Sequence, residues 1–250
     1  MHSQNEPIRH KSMLFIPEIW REKRLSILLR LKAVETRRHQ CFLIVLVMFW
    51  DKVAYVYDFF ENVSNGKVYK GTGRKVAEEI EKGDEVLECA CGTGAISVYI
   101  APECARLVAT DMSKNMLKQT DKKTKDFGNV ETRIVDMMHL DYADDSFNKV
   151  VAGNVIHLLD DPKAAVAELF RVCKPGGKII IPTYVTIYSG KHSVLARLLG
   201  KAGANFKRQF DLESYMEFFR KAGYNDVAFH VIEGRIPCAI AVIRKGGESD

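Results

Sequence analysis

The sequence predicts an α/β protein with a seven-stranded, mostly parallel sheet, an antiparallel C-terminal hairpin, and helices on both faces. Short apolar runs alternate with stretches of helical periodicity from residue 85 to residue 182, which is the element order of a parallel sheet. A turn with two glycines joins the first of these strands to its helix. The last two apolar runs are separated by only a few residues, and a connection that short makes them antiparallel.

The predicted elements follow one another in a regular order. Two helices, 49–62 and 72–82, precede the sheet, and Gly83 ends the second one. The strands are predicted at residues 85–89, 106–110, 130–135, 149–153, 178–182, 226–233 and 238–244. The helices among them are predicted at residues 95–101, 114–125, 162–173 and 212–222, with a turn at 174–177 before the fifth strand.

A polar, glycine-punctuated insertion follows the fifth strand at residues 184–209, and a short helix is predicted within it at 194–200. Ligand sites of open α/β sheets lie at the carboxyl ends of the strands. We therefore expect this insertion to act as a lid over the active-site crevice.

Charge separates the first 47 residues from the rest of the chain. They hold nine of the 37 Lys and Arg residues and four of the 32 acidic residues, which leaves 28 of each sign for residues 48–250. A neutral folded part argues against a nucleic-acid partner, because such proteins carry basic patches.

The N-terminal segment allows more than one interpretation. Residues 14–38 have the pattern of a basic amphipathic helix, which can make weak contact with an anionic membrane surface, although solvated and core-packed helices share that pattern. The apolar run 41–50 is too short to span a bilayer, which takes about 20 residues, and it lacks the features of a signal peptide. We expect Met48 to be the natural start, so that residues 1–47 are an extension outside the native protein and 48–250 form the functional domain.

The cysteines predict neither a metal site nor a disulfide framework. None of the six belongs to a CxxC pair or a Cys/His set with zinc-ligand spacing. Several lie in apolar runs, where a reduced cysteine behaves as a small hydrophobic residue. We therefore expect no bound metal and a cytoplasmic location.

The sequence VLECACGTGAISV, at residues 86–98, carries the strongest functional signal. It predicts a buried strand, a turn that contains Gly92 and Gly94, and a helix. Glycines at such a turn let backbone N–H groups approach a ligand, and the helix N-terminus adds donors. The next strand ends 17 residues after Gly94 at Asp111, whose carboxylate can accept both ribose hydroxyls of an adenosine.

Two residues distinguish between the nucleoside cofactors that suit this geometry. A dinucleotide fingerprint needs GxGxxG, and Ser97 occupies the position of the third glycine. Glu88 would repel a pyrophosphate, whereas it suits a ligand with cationic sulfonium and ammonium groups. An NAD(P)-dependent oxidoreductase is the alternative that these residues disfavour.

This stretch resembles motif I of the class I S-adenosylmethionine-dependent methyltransferases, in which an acid is followed by x-G-x-G-x-G. Glu88, Gly92 and Gly94 match the motif, and Ala90 stands where the first glycine is expected. The resemblance implies a Rossmann-like fold. It also implies that S-adenosyl-L-methionine is the cofactor and that these four residues, with Asp111, bind it.

Two further pairs resemble the adenosine-binding residues of the same family. Asp111 and Met112 resemble the ribose-binding acid and the apolar residue that packs on adenine. Asp136 and Met137 resemble the pair that meets the adenine amino group and ring.

The sequence after the predicted fourth strand indicates a branch of this family. Asn154 begins NVIHLLDDP, which resembles the corresponding motif in the branch that includes the ubiquinone and menaquinone biosynthesis methyltransferases, and we expect Asn154 to contact the cofactor. RVCKPGG, at 171–177, resembles the turn before the fifth strand. The whole resemblance covers about residues 48–245.

The implied activity is transfer of a methyl group by in-line displacement to a small acceptor of phenol, quinol, thiol or amine type. The absence of an NPPY-type sequence disfavours a nucleobase amine or a glutamine amide as acceptor. An RNA or protein methyltransferase with the basic N-terminal segment as its handle, and a non-catalytic module that keeps the cofactor pocket, are the remaining alternatives. The oligomeric state is not encoded in any pattern that we recognise.

His157 is the candidate general base, because it is the only histidine in a motif expected to face the crevice. A packed or merely positioning histidine would give the same pattern. The residues expected to line the acceptor pocket or to close over the cofactor are Tyr57, Tyr69, Tyr184, Tyr188 and His192.

Overall fold

The computed structural model describes residues 47–55, 63, 65–186 and 208–246. All of them belong to one compact unit that begins at residue 45. Nearly all of the predicted N-terminal extension, most of the insertion at 184–209 and its predicted helix lie outside the described residues. Within the part of the chain that the structure describes, no helix has the length and hydropathy needed to cross a membrane.

The described helices flank a single sheet. The helices are α1 (47–55), α2 (65–77), α3 (Ser97–Ile100), α4 (Lys114–Thr124), α5 (Pro162–Val172) and α6 (Leu212–Lys221). The strands are β1 (Glu85–Cys89), β2 (Arg106–Asp111), β3 (Val130–Ile134), β4 (Phe147–Ala152), β5 (Cys173–Tyr184), β6 (Val227–Ile232) and β7 (Cys238–Arg244).

The seven strands lie in the order β3-β2-β1-β4-β5-β7-β6. Strands β1 to β5 pair in parallel, and β7 is antiparallel to both β5 and β6. The predicted fold class is therefore confirmed. The chain moves outward from β1 to β3 and then returns to the other side of β1 at β4, so the carboxyl ends of β1 and β4 border the crevice in which such sheets bind ligands.

Both faces of the sheet are buried under helices. Leu87 and Val108 point into one apolar cluster, which includes side chains of α5 and α6. Their neighbours Val86 and Leu107 point into the other cluster, which includes side chains of α2. Burial on both faces explains the nearly continuous apolar runs of the central strands, whereas the edge strands β3 and β6 are more exposed. The described cysteines, Cys89, Cys91, Cys104, Cys173 and Cys238, are free thiols buried in these clusters.

The predicted bounds of α2 were wrong. The described part of the helix runs from residue 65 to 77, and residue 63 is also helical, whereas the pattern predicted 72–82. Gly71 and Gly73 resemble helix breakers in the sequence, but here they allow close packing, since a Cβ on Gly71 would lie 2.8 Å from the side chain of Ile232 and one on Gly73 would overlap Tyr99.

The predicted turn at 174–177 was also wrong, because these residues lie within β5. The pairing of β4 with β5 shifts register between Phe147 and Lys149, which indicates a β-bulge. Gly176 has a φ of +78°, the left-handed conformation that a glycine adopts at such a bulge. Apart from the start of β5, the predicted helices and strands that fall on described residues from 85 onward agree with the structure to within two residues.

A buried ion pair at the amino ends of the strands supports the sheet. Lys149 Nζ lies 2.8 Å from Asp84 Oδ2, and each side chain is 8% exposed. Lys149→Met keeps the apolar stem and leaves the Asp84 carboxylate without its cation, so we expect the free energy of unfolding to fall by about 3 kcal/mol in urea titrations. Lys174→Met, which removes a surface contact 3.7 Å from Glu85, should change it by less than about 0.5 kcal/mol. Equal losses in the two variants would contradict this account.

Candidate active site

The loop between β1 and α3 has the backbone of a ligand cradle. Gly92 and Gly94 have φ values of +57° and +78°. A Cβ on Gly92 would meet nothing within 4 Å, whereas one on Gly94 would lie 3.1 Å from the backbone of Thr120 in α4. The Thr120 hydroxyl donates to the Gly92 carbonyl at 2.8 Å. The turn is thus supported by α4 and open at Gly92, where a ligand can approach the backbone.

Ala90 has the conformation of the glycine that it replaces. Its φ is +52°, in the left-handed region, which costs a residue with a Cβ about 1 kcal/mol or more. The sequence analysis placed Ala90 at the position of the first glycine of the motif. The structure shows a left-handed backbone at this position, which favours glycine, so Ala90 carries backbone strain.

Glu88 is a buried acid at the end of β1. Its side chain is 1% exposed, and the Ser97 hydroxyl donates to Oε2 at 2.5 Å. Burial raises the pKa of Glu88 to about 8, the hydrogen bond from Ser97 opposes this rise, and the charge of Asp111 adds to it. Most of the Glu88 carboxyl groups therefore keep their proton at pH 7 in the ligand-free protein. A cationic ligand nearby would favour its ionised form.

Asp111 ends β2 and faces the same loop. The Gly92 N–H donates to its Oδ2 at 2.9 Å, and the Ser113 N–H donates to its Oδ1 at 2.8 Å. Burial raises the pKa of this carboxyl, and these backbone hydrogen bonds oppose the rise. Two amides thus fix the orientation of the carboxylate, while each oxygen keeps a lone pair that can accept a ligand hydroxyl.

The residues predicted to surround adenine follow β2 and β3. Met112 is half-buried and Met137 is 5% exposed. The Met138 N–H donates to Asp136 Oδ1 at 2.9 Å, which fixes the Asp136 side chain over its own loop. The Val135 N–H donates to the Asp111 carbonyl at 3.3 Å, so the loop after β3 is joined to the end of β2.

Asn154 joins the ends of β4 and β5. Its φ is +53°, its N–H donates to the Pro182 carbonyl at 2.8 Å, and its Oδ1 accepts the Tyr184 N–H at 3.1 Å. A cofactor contact stays a prediction for Asn154. Its hydrogen bonds between the ends of β4 and β5 are a structural role that the sequence did not indicate. The same hydrogen bond places Tyr184 at the carboxyl edge of the sheet.

His157 lies in a 3-10 turn, Ile156–Leu158, that follows β4. Burial lowers the pKa of its imidazole to about 4, so the ring is neutral at physiological pH. The Arg208 N–H donates to the His157 carbonyl at 3.2 Å, so the end of the insertion returns to this turn. A neutral imidazole can accept a hydrogen bond or a proton, but a pKa of about 4 makes it a weak base.

The other predicted pocket residues are only partly within the described chain. Tyr69 lies half-buried in α2. Tyr57, Tyr188 and His192 lie outside the described residues, so their predicted roles stay predictions.

Asp51 of α1 is a residue near the site that the sequence analysis missed. Its Oδ1 accepts the Ser113 hydroxyl at 2.5 Å and the Asn115 N–H at 3.1 Å. The contacts join residues 62 and 64 positions apart in the chain. Local periodicity carries no signal for such a contact, and only the position of Asp51 in an aromatic-rich helix close to Met48 could have drawn attention to it.

The proton of Glu88 gives a pH-dependent stability that can be measured without any ligand. The folded protein keeps this proton up to about pH 8, while the unfolded chain releases it near pH 4.5. The folded state therefore binds more protons between these values, and the contribution of Glu88 to stability falls as pH rises through that window. We expect Glu88→Gln to melt close to the wild type at pH 5 and roughly 5 °C or more above it at pH 8.5.

The matched control is Glu85→Gln at the half-buried start of the same strand. Its melting temperature should differ from that of the wild type by a similar amount at both pH values. A Glu88→Gln difference that does not change with pH would contradict the proposed burial of the proton.

Comparisons with known proteins agree with this geometry. Residues 87–181 match the model of a methyltransferase domain family. The chain is 26% identical over 204 residues to the demethylmenaquinone methyltransferase of Staphylococcus saprophyticus, an alignment that covers 72% of this chain and 88% of the relative.

Two solved structures share the fold. The cyclase SpnF matches with a TM-score of 0.60 at 19% identity, over 71% of this chain and 82% of that one. Phosphoethanolamine N-methyltransferase 2 of Haemonchus contortus, solved with S-adenosylhomocysteine, matches with a TM-score of 0.63 at 16% identity, over 78% of this chain and 57% of that one. At such identities the structural likeness shows the fold alone, and a cyclase among the matches illustrates that one fold carries several activities.

Two acids flank the open glycine turn: the buried Glu88 near the end of β1 and Asp111 at the end of β2. Negative charge there suits the cationic sulfonium of an adenosyl ligand and would repel a pyrophosphate, which disfavours the oxidoreductase alternative. The domain match spans residues 87–181, which include this turn, and the demethylmenaquinone methyltransferase relatives belong to the same kind of enzyme. This chain is a class I S-adenosylmethionine-dependent methyltransferase with S-adenosyl-L-methionine as its cofactor.

Proposed function

We propose that this enzyme methylates a small hydroxylated aromatic acceptor of the phenol or quinol type. The observation that carries the proposal is the extent of the likeness to demethylmenaquinone methyltransferases. It spans 204 residues and 88% of the relative, whereas the methyltransferase domain match covers only residues 87–181. The likeness therefore includes regions outside the cofactor-binding core, where enzymes of one fold differ in their acceptors.

The charge distribution supports a small acceptor. Residues 48–250 contain equal numbers of basic and acidic side chains. A nucleic acid would be recognised by a basic surface, and the acids near the glycine turn would repel its phosphates.

The donor contacts that we propose follow from the described geometry. S-adenosylmethionine supplies an activated methyl group on a positively charged sulfur. Asp111 accepts the ribose hydroxyls, the open turn at Gly92 approaches the amino-acid end, and Glu88 provides negative charge for the cationic groups. Met112, Asp136, Met137 and Asn154 complete the proposed donor contacts.

The protein then contributes mainly alignment and exclusion of water. In well-aligned systems these effects lower the barrier by roughly 7 to 11 kcal/mol, so no protein nucleophile is needed. Fixed hydrogen bonds such as those from Gly92 and Ser113 to Asp111 provide the rigidity that alignment requires.

We propose that His157 accepts the proton of the acceptor hydroxyl. The ring is neutral at physiological pH, because burial lowers its pKa to about 4. A hydroxyl on a ring that is being methylated becomes strongly acidic as the new bond forms, so even a weak base can take its proton. A neutral amine attacks through its lone pair, so an amine acceptor would not need a base before methyl transfer.

A screen of acceptors tests the proposed function directly. Simple quinols, phenols, thiols and amines are incubated with the enzyme and the methyl donor, and release of S-adenosylhomocysteine is measured. We expect the highest turnover with quinols or phenols. Preferred turnover of a thiol or amine would contradict the proposal, and donor binding without turnover of any acceptor would favour a non-catalytic module.

Replacement of His157 tests the proposed proton acceptor. With a quinol or phenol we expect His157→Ala to lower kcat by about 100-fold, because general-base catalysis typically contributes 100-fold or more. Donor affinity, measured by calorimetry, should stay unchanged. His139→Ala, which removes a side chain 83% exposed, is the matched control and should retain activity. A kcat for His157→Ala within threefold of the wild type would show that this histidine is only packed.

A further inference from the structure

Asp51 joins α1 to the N-terminus of α4. Its Oδ1 accepts two hydrogen bonds, from the Ser113 hydroxyl at 2.5 Å and from the Asn115 N–H at 3.1 Å. Its main-chain carbonyl accepts a third from Asn115 Nδ2 at 3.3 Å. One residue thus anchors α1 against α4 through both its side chain and its backbone.

Ser113 connects this anchor to the proposed ribose-binding carboxylate. The residue is 1% exposed, and its hydroxyl accepts the Met116 N–H at 3.1 Å as the N-cap of α4. Its own N–H donates to Asp111 Oδ1 at 2.8 Å. A continuous chain of hydrogen bonds therefore runs from Asp51 through Ser113 to Asp111.

Capping of α4 alone does not account for Asp51. Ser113 already fulfils the N-cap role by accepting the Met116 N–H. The negative charge of Asp51 also adds to the rise in the pKa of the Asp111 carboxyl. The N-terminus of α4 favours a carboxylate at this place, whereas the proximity of the same charge is unfavourable for Asp111, so Asp51 acts on the Asp111 carboxylate as well as on the helix.

We propose that Asp51 is a positioning residue for the methyl donor. Docking of α1 through Asp51 holds Ser113, and Ser113 holds the Asp111 carboxylate in the orientation that receives the ribose hydroxyls. Docking of α1 and donor binding are then coupled, and each strengthens the other. The inference rests on the proposed donor contact of Asp111 and is independent of the acceptor class.

Calorimetric titration of the full chain with S-adenosylmethionine tests this proposal. We expect Asp51→Ala to raise the Kd about 10-fold and Asp51→Asn, which keeps an acceptor oxygen at the same place, to stay within threefold of the wild type. Lys52→Ala, at an exposed position of the same helix, should have no effect. The proposal is overturned if Asp51→Ala binds within twofold of the wild type or if Asp51→Asn is as weak as Asp51→Ala.

Asp111→Ala in the same titration separates this inference from the proposed donor site. If Asp111→Ala weakens binding and Asp51→Ala does not, only the role of Asp51 fails. If Asp111→Ala binds normally, the proposed donor contact itself fails.

Hydrogen exchange on the wild-type protein provides a second test that does not depend on how Asp51→Ala folds. Addition of S-adenosylmethionine should slow exchange in peptides that cover 47–55 and 113–116, while a peptide from α5 should stay unchanged. Unchanged exchange across 47–55 at saturating donor would overturn the coupling.

Discussion

The carboxylate of Asp111 is the point at which the separate parts of the candidate site meet. It accepts one N–H from the loop after β1 and one from the turn that starts α4, so these two loops have a fixed separation. Burial makes the ionised form costly, and the two amides offset much of that cost. The glycine turn, α4 and α1 are each connected to this group directly or through Ser113, so a change in its position would move all of them.

Glu88 and Ser97 are joined by a hydrogen bond, although in the sequence they are two separate arguments against a dinucleotide-binding site. Ser97 occupies the position of the third glycine, and its hydroxyl is the donor that the buried Glu88 carboxyl needs. A glycine there would leave Glu88 without this hydrogen bond. The preference for a cationic ligand that we propose therefore depends on a pair of residues. Its cost is a buried acid that lowers the stability of the ligand-free protein as pH rises above 4.5.

Local sequence patterns predicted the sheet well because its central strands are buried on both faces and therefore carry nearly continuous apolar runs. The errors arose where tertiary contacts determined the local structure. Gly71 packs against Ile232 inside a helix, and Gly176 lies at a bulge within a strand, so glycines that look like breakers do not break either element. For the candidate site, the motif predicted the carboxylates of Glu88 and Asp111. It predicted neither the pKa of His157, which depends on burial in the folded protein, nor the contact of Asp51 with Ser113 across 62 residues.

The topology separates the proposed donor contacts from the proposed acceptor contacts. Most of the donor residues follow β1, β2 and β3 on one side of the switch point, where short loops are cross-linked by main-chain hydrogen bonds. The residues proposed for the acceptor follow β4 and β5 on the other side, where Asn154 binds the Tyr184 N–H and the His157 carbonyl accepts the Arg208 N–H. Because most of the proposed donor residues lie on the other side of the switch point, we expect substitutions after β4 to alter the acceptor while the contacts after β1, β2 and β3 keep their geometry. Such a division is a physical reason why one methyltransferase fold serves acceptors of many chemical types.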